Sequence, residues 1–169
     1  MDDIINTILL YIDNYDVFYT LLTRFPYSGK IPKSVINYKD KYMGETFLHD
    51  ACAKDHNDIV QLMIKSGADI EVMNRYGDRP LCHACWNGHF EVVKTLIEHD
   101  VDLNVENVPY KVTPIFHACR GGNLEIVRIL IENGANVNFG TRNISTPLSL
   151  AQTIQNDEIA TLLIQNGAN

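Results

Sequence analysis

The stretch Thr113-Pro114-Ile115-Phe116-His117-Ala118 has three counterparts in the chain. They are Thr46-Phe47-Leu48-His49-Asp50-Ala51, Arg79-Pro80-Leu81-Cys82-His83-Ala84 and Thr146-Pro147-Leu148-Ser149-Leu150-Ala151. Successive copies start 33, 34 and 33 residues apart. A second marker, Gly67-Ala68-Asp69, Asp100-Val101-Asp102, Gly134-Ala135-Asn136 and Gly167-Ala168-Asn169, keeps the same three intervals. Two markers sharing one irregularity identify a true internal repeat, and they place the extra residue in a loop between Asp102 and Thr113.

Each unit reads as a pair of short helices. Thr followed by Pro is an N-cap and a first helical position, where the missing N–H of proline costs nothing. The first helix of the second unit runs through Cys85 and stops near Asn87-Gly88. A second helix then spans about Phe90 to His99, with Phe90, Val93, Leu96 and Ile97 on one face of a 3.6-residue period. Leu124, Val127, Leu130 and Ile131 repeat that stripe one unit later. Gly67, Gly134 and Gly167 read as left-handed helix stops, and Asn74-Arg75-Tyr76-Gly77 as a tight turn between units. One such pair cannot bury its own apolar stripe, so the pairs must stack.

Composition narrows the function. The 169 residues carry 14 Lys+Arg against 21 Asp+Glu, a formal charge of −7. That balance argues against generic nucleic-acid binding and against adhesion to an anionic membrane. The longest apolar run, Ile8 to Ile12, is far shorter than the ~20 residues of a membrane span. The acidic start Met1-Asp2-Asp3 is unlike a secretory signal, and four cysteines are too few for a disulfide scaffold. The expectation is an intracellular protein, cytoplasmic or nuclear, monomeric, without cofactor.

The phrases Thr146-Pro147-Leu148, Gly88-His89-Phe90-Glu91-Val92-Val93 and Gly134-Ala135-Asn136-Val137-Asn138 resemble the ankyrin-repeat pattern, and the unit length agrees. The resemblance covers about residues 40–169. It implies an all-α solenoid of stacked helix–turn–helix units joined by β-turn-like fingers and used for binding other proteins. The repeats are taken as 44–73, 74–106, 107–140 and 141–169, after a divergent helical cap and connecting loop over 1–43. In that cap, Ile4 to Ile12 and Val17 to Leu22 suggest two helices, and Pro26 to Pro32 an irregular stretch. Arg79 stands where the pattern has a capping Thr, and Lys111 and Ile144 stand where it has the turn Gly.

Several clusters invite a chemical reading. Cys82-His83-x-Cys85 with His89 suggests zinc, but Cys52, Cys85 and Cys119 share one repeat position, which points to packing and to no metal. His56 and His89 share another position, as do His83 and His117; repeated placement points to architecture. By the resemblance, His49 bonds back to Thr46. Serine-hydrolase elbows, phosphate-binding glycine loops and His-Glu-x-x-His are absent from the sequence, so no enzyme activity is expected.

The resemblance implies that partners are met by the fingers and by the exposed ends of the first helices. The residues so placed are Tyr42, Met43, Arg75, Tyr76, Asp78, Trp86, Asn87, Tyr110, Val112, Arg120 and Arg142. The set holds the single Trp of the chain, and Trp, Tyr and Arg dominate interface hot spots. Trp86 is the expected anchor, and the arginines suggest a partner protein presenting an acidic segment. An adaptor or effector subunit of a larger assembly is the alternative. Asn104 and Asn138 match the family's asparagine-hydroxylation pattern, although bonding to turn backbone explains them as well.

Overall fold

The computed structural model describes residues 31, 33–107, 110–140 and 145–169. The expected cap helices before residue 23, and Pro109, Arg142, Asn143 and Ile144, lie outside the described residues. A short α1 (Lys33–Ile36) precedes four helix pairs: α2 (Phe47–Ala53) with α3 (Asn57–Lys65), α4 (Pro80–Asn87) with α5 (Phe90–Ile97), α6 (Pro114–Arg120) with α7 (Leu124–Glu132), and α8 (Pro147–Thr153) with α9 (Asp157–Gln165). Among the described residues there is no strand, and no helix is long and apolar enough to cross a membrane.

The first helices stack α2 on α4 on α6 on α8, and the second helices α3 on α5 on α7 on α9. Thr113 and Thr146 hold extended backbone before Pro114 and Pro147, each the first residue of its helix. The core runs the length of the stack through Phe47, Leu48, Met63, Leu81, Leu96, Ile115, Leu130 and Leu163. Cys52, Cys85 and Cys119 are fully buried in it, and burial raises all three thiols, Cys119 to about 12. They act as small apolar side chains.

The buried stripe of the second helices is rotated by about one position from the one the sequence periodicity predicts. In α5 it is Val92, Val93 and Leu96, while Phe90 is exposed and Ile97 half-buried. In α7 it is Ile126, Val127 and Leu130. A second helix packs against its own first helix and against both neighbouring second helices, so burial is set by three contacts rather than one face.

Where a connecting loop is expected, α1 forms, and Ile31, Val35 and Ile36 join the core. The first finger begins at Asp40, whose carboxylate accepts the N–H groups of Tyr42, Met43 and Glu45. A boundary at residue 43 therefore divides this finger. Asn74 and Asn107 play the same part later: Asn74 Oδ1 accepts from Tyr76 and Asp78, and Asn107 Oδ1 from Val112. Lys111, in the turn-glycine position, adopts φ +58°, the left-handed region that costs a non-glycine residue about 1–2 kcal/mol.

Polar side chains clamp unit to unit. Asn104 accepts from Asn136 N–H at 2.7 Å and donates to Gly134 O at 3.1 Å. Asn138 repeats both bonds with Asn169 and Gly167. Both candidate hydroxylation residues thus bracket the backbone of the following unit. Where Asn123 opens α7, its Nδ2 donates to the Cys85 and Trp86 carbonyls. Beside it, Gly121 lies so close to Trp86 that a Cβ there would overlap the Trp86 carbonyl oxygen.

Candidate interaction groove

Finger 2 and the inner faces of α4 and α6 enclose a cavity of about 160 Å³ lined by Asp78, Cys82, His83, Trp86, Asn87 and His117. Successive units, laid side by side by their stacked first helices, bring these residues together. Trp86 sits at its mouth, 41% exposed. The Arg120 guanidinium lies over the indole, 4.2 Å from its centroid, and the His117 ring is 5.7 Å away. Such an aromatic–guanidinium stack contributes ~0.5–1 kcal/mol at an exposed site, and it fixes both planes. Among the described residues no carboxylate pairs with Arg120.

Beneath Trp86 the groove is polar and largely buried. His49 Nδ1 accepts from the Thr46 N–H at 3.1 Å, and its Nε2 lies 3.1 Å from the Asp78 carbonyl oxygen. That places the ring proton on Nε2, with the Asp78 backbone held by the unit before it. Burial, aided by the His83 charge 5.5 Å away ring to ring, lowers His49 to about 4 and keeps it neutral. Asp78 Oδ1 accepts from Asn107 Nδ2 at 2.5 Å and lies 3.4 Å from His117 Nε2. Burial disfavours charge on both, yet Asp78 and Cys82 outweigh it at His117 and lift that imidazole to about 9. His117 and Asn107 in turn hold the Asp78 carboxyl below its usual range against the same burial. His83 Nε2 faces Glu45 Oε1 at 3.4 Å, and burial lowers its affinity for a proton.

Seven of the eleven residues assigned to partner binding fall into two groups. Trp86, Asn87, Arg120 and Asp78 gather at the groove. Tyr42, Met43 and Arg75 gather on the fingers, where Arg75 Nη1 donates to Tyr42 O and Arg75 N–H to Met43 O. Tyr76 and Tyr110 are exposed finger residues, and no ring contact among the described residues joins them to Trp86. Two of the set are less outward than expected: the Asp78 carboxylate is engaged with Asn107 and His117, and Val112 is half-buried with its backbone bonded to Asn107. Arg142 is outside the described residues.

Cys82, His83 and His117 were missed as groove residues. The signal available was their position: Cys82 replaces the His49 of unit 1, and His83 and His117 replace Asp50. The Cys82-His83-x-Cys85…His89 run does not converge. Cys85 points into the core, and His89 Nε2 bonds the Ala53 carbonyl at 2.9 Å.

Stacked helix pairs with projecting fingers and one continuous core define a repeat solenoid, in which each unit packs on its neighbours. The match to the ankyrin-repeat family model, over residues 9–107 and 105–169, makes the chain a member of the ankyrin-repeat family, whose repeats are generally protein–protein interaction modules. It is similar to a probable E3 ubiquitin-protein ligase, XBOS33, of Oryza sativa subsp. japonica, at 52% identity over 50 residues, covering 30% of this chain and 10% of that protein. It is similar also to the ankyrin repeat-containing protein ITN1 of Arabidopsis thaliana, at 34% identity over 87 residues, 50% of this chain and 15% of that protein. The Notch-regulated ankyrin repeat-containing protein A of Danio rerio is 39% identical over 54 residues, 32% of this chain and 48% of the fish protein. The chain thus matches about a tenth of the length of the ligase.

Proposed function

We propose that this protein is a non-catalytic, intracellular recognition module that binds a polypeptide segment along the α4–α6 groove, with Trp86 as anchor and Arg120 receiving a partner carboxylate. The observation that carries the reading is the Trp86–Arg120 stack. An exposed indole is held in one orientation by a guanidinium whose own charge has no carboxylate within the described residues. A preformed site of this kind loses little ordering entropy on binding, so its central anchor is worth ~2–4 kcal/mol. The exposed Tyr42, Met43, Arg75, Tyr76 and Tyr110 extend the surface along the fingers. Four cysteines that are free and buried suit a reducing compartment.

The short overlap with much longer relatives supports an adaptor version, in which the groove connects a target to a further domain or subunit. The test is selection of binders from a displayed random peptide library on the wild-type chain. Enriched peptides should carry Asp or Glu beside an apolar residue. They should lose at least tenfold in affinity with Trp86→Ala and lose their acidic preference with Arg120→Glu. Peptides that bind both variants as well as wild type place the site elsewhere.

A further inference from the structure

At the floor of the groove, three side chains of different chemistry meet from two successive units. Asp78 Oδ, Cys82 Sγ and one ring nitrogen of His117 lie within 4.8 Å of one another. Cys82 is 4% and His117 7% exposed. Among the described residues neither nitrogen of His117 makes a hydrogen bond of good geometry, although a buried imidazole ordinarily finds a partner for both; Nε2 has only its ion-pair neighbour Asp78. The Nε2–Oδ1 separation of 3.4 Å is long for a charge-assisted hydrogen bond, which closes to ~2.7–2.9 Å. It does fit the edge of a coordination tetrahedron: two ligands ~2.0–2.1 Å from zinc stand about 3.3 Å apart.

We propose that Asp78, Cys82 and His117 bind a divalent zinc-like ion, each giving one ligand atom, with the fourth position opening on the cavity toward His83, Trp86 and Asn87. The donor set of one thiolate, one imidazole and one carboxylate suits a borderline-soft tetrahedral cation and suits Mg²⁺ or Ca²⁺ poorly. The supports are in place: Asn107 Nδ2 holds the carboxylate, and His49 and Asn74 hold the backbone of Asp78 from either side. Loading releases the Cys82 thiol proton and any proton on His117 to water, and involves no redox change. The ion would join finger 2 and α4 of one unit to α6 of the next. Being a property of the isolated chain, it stands whether or not the groove binds a polypeptide.

Co²⁺ is the probe, added to the dialysed, reduced chain without peptide. One equivalent should bind, with intense visible bands of tetrahedral cobalt and a thiolate-to-cobalt charge-transfer band in the near ultraviolet. Zn²⁺ should displace it. Cys82→Ser should abolish the charge-transfer band. His117→Gln and Asp78→Asn should each weaken affinity, measured by chelator competition, by at least tenfold, with far-ultraviolet circular dichroism unchanged. His89→Gln should bind as wild type. No binding at micromolar cobalt, a spectrum lacking the thiolate band, or full affinity kept by folded Cys82→Ser or His117→Gln overturns the site.

Discussion

The terminal and central units differ at the entry of their first helices. In unit 1, Thr46 Oγ1 and the Thr46 N–H both meet His49 Nδ1, at 2.9 and 3.1 Å. In unit 4, Thr146 and Ser149 exchange bonds of 2.9 and 3.1 Å. The central units do neither: Arg79 faces Cys82 and pairs instead with Glu71 at 3.0 Å, and Thr113 faces Phe116 and has no partner for its buried hydroxyl among the described residues. The same two units carry Asp78, Cys82, Trp86, His117 and Arg120. A reciprocal cap is worth ~1 kcal/mol, and its residues are committed to backbone. Units 2 and 3 forgo that stabilisation and hold their chemistry there, while units 1 and 4 keep the local bonds.

The contrast can be broken most forcefully at Gly121, where units 2 and 3 meet at the Trp86 carbonyl. Gly121→Ala sets a methyl against the Trp86 carbonyl and should lower stability by about 3 kcal/mol, the upper end of overpacking costs, in urea unfolding. The caps offer a direct comparison. Thr46→Val should cost about 1 kcal/mol, whereas Thr113→Val, removing a hydroxyl that bonds nothing, should be neutral or stabilise by up to ~1 kcal/mol. Equal losses at the two threonines would remove the distinction between terminal and central units.

Two smaller effects sharpen it. Lys111→Gly relieves the left-handed backbone of a central finger and should stabilise by roughly 0.5–1 kcal/mol, after the greater freedom of glycine in the unfolded chain. Its salt bridge to Glu106 is exposed and offsets little of this. The first finger is built on a carboxylate, Asp40, where the central two use the carboxamides of Asn74 and Asn107. Burial opposes the Asp40 charge, but the N–H groups of Met43, Glu45 and Tyr42 hold its carboxyl below 3.8. Its contribution is therefore complete above pH 3.8 and is lost as pH falls through the lower folded value. Amide exchange at Tyr42, Met43 and Glu45 should accelerate there before exchange at Tyr76, Asp78 and Val112 does.

Two spaced markers, a Thr-Pro cap and a glycine stop are local signals, and they suffice for the number of described helix pairs, their order and the burial of Cys52, Cys85 and Cys119. Local pattern failed where neighbours decide. The second-helix stripe turned by one position because three helices cover it, and α1 formed where Ile31, Val35 and Ile36 pack into the core. Trp86 and Arg120 are placed on the surface by their repeat positions, but their stacking joins side chains 34 residues apart and belongs to the register between units.

The sequence by itself determined that similar modules stack, since the helix-entry and apolar positions recur with one spacing in every unit. Only the tertiary structure decided which substitutions within those modules meet. Asp78, Cys82 and His117 occupy three different repeat positions on two units, and no spacing rule connects them. They converge because a solenoid's step between units carries position 117 over the finger of the unit before, and that step is set by packing of the whole core rather than by any local stretch of chain.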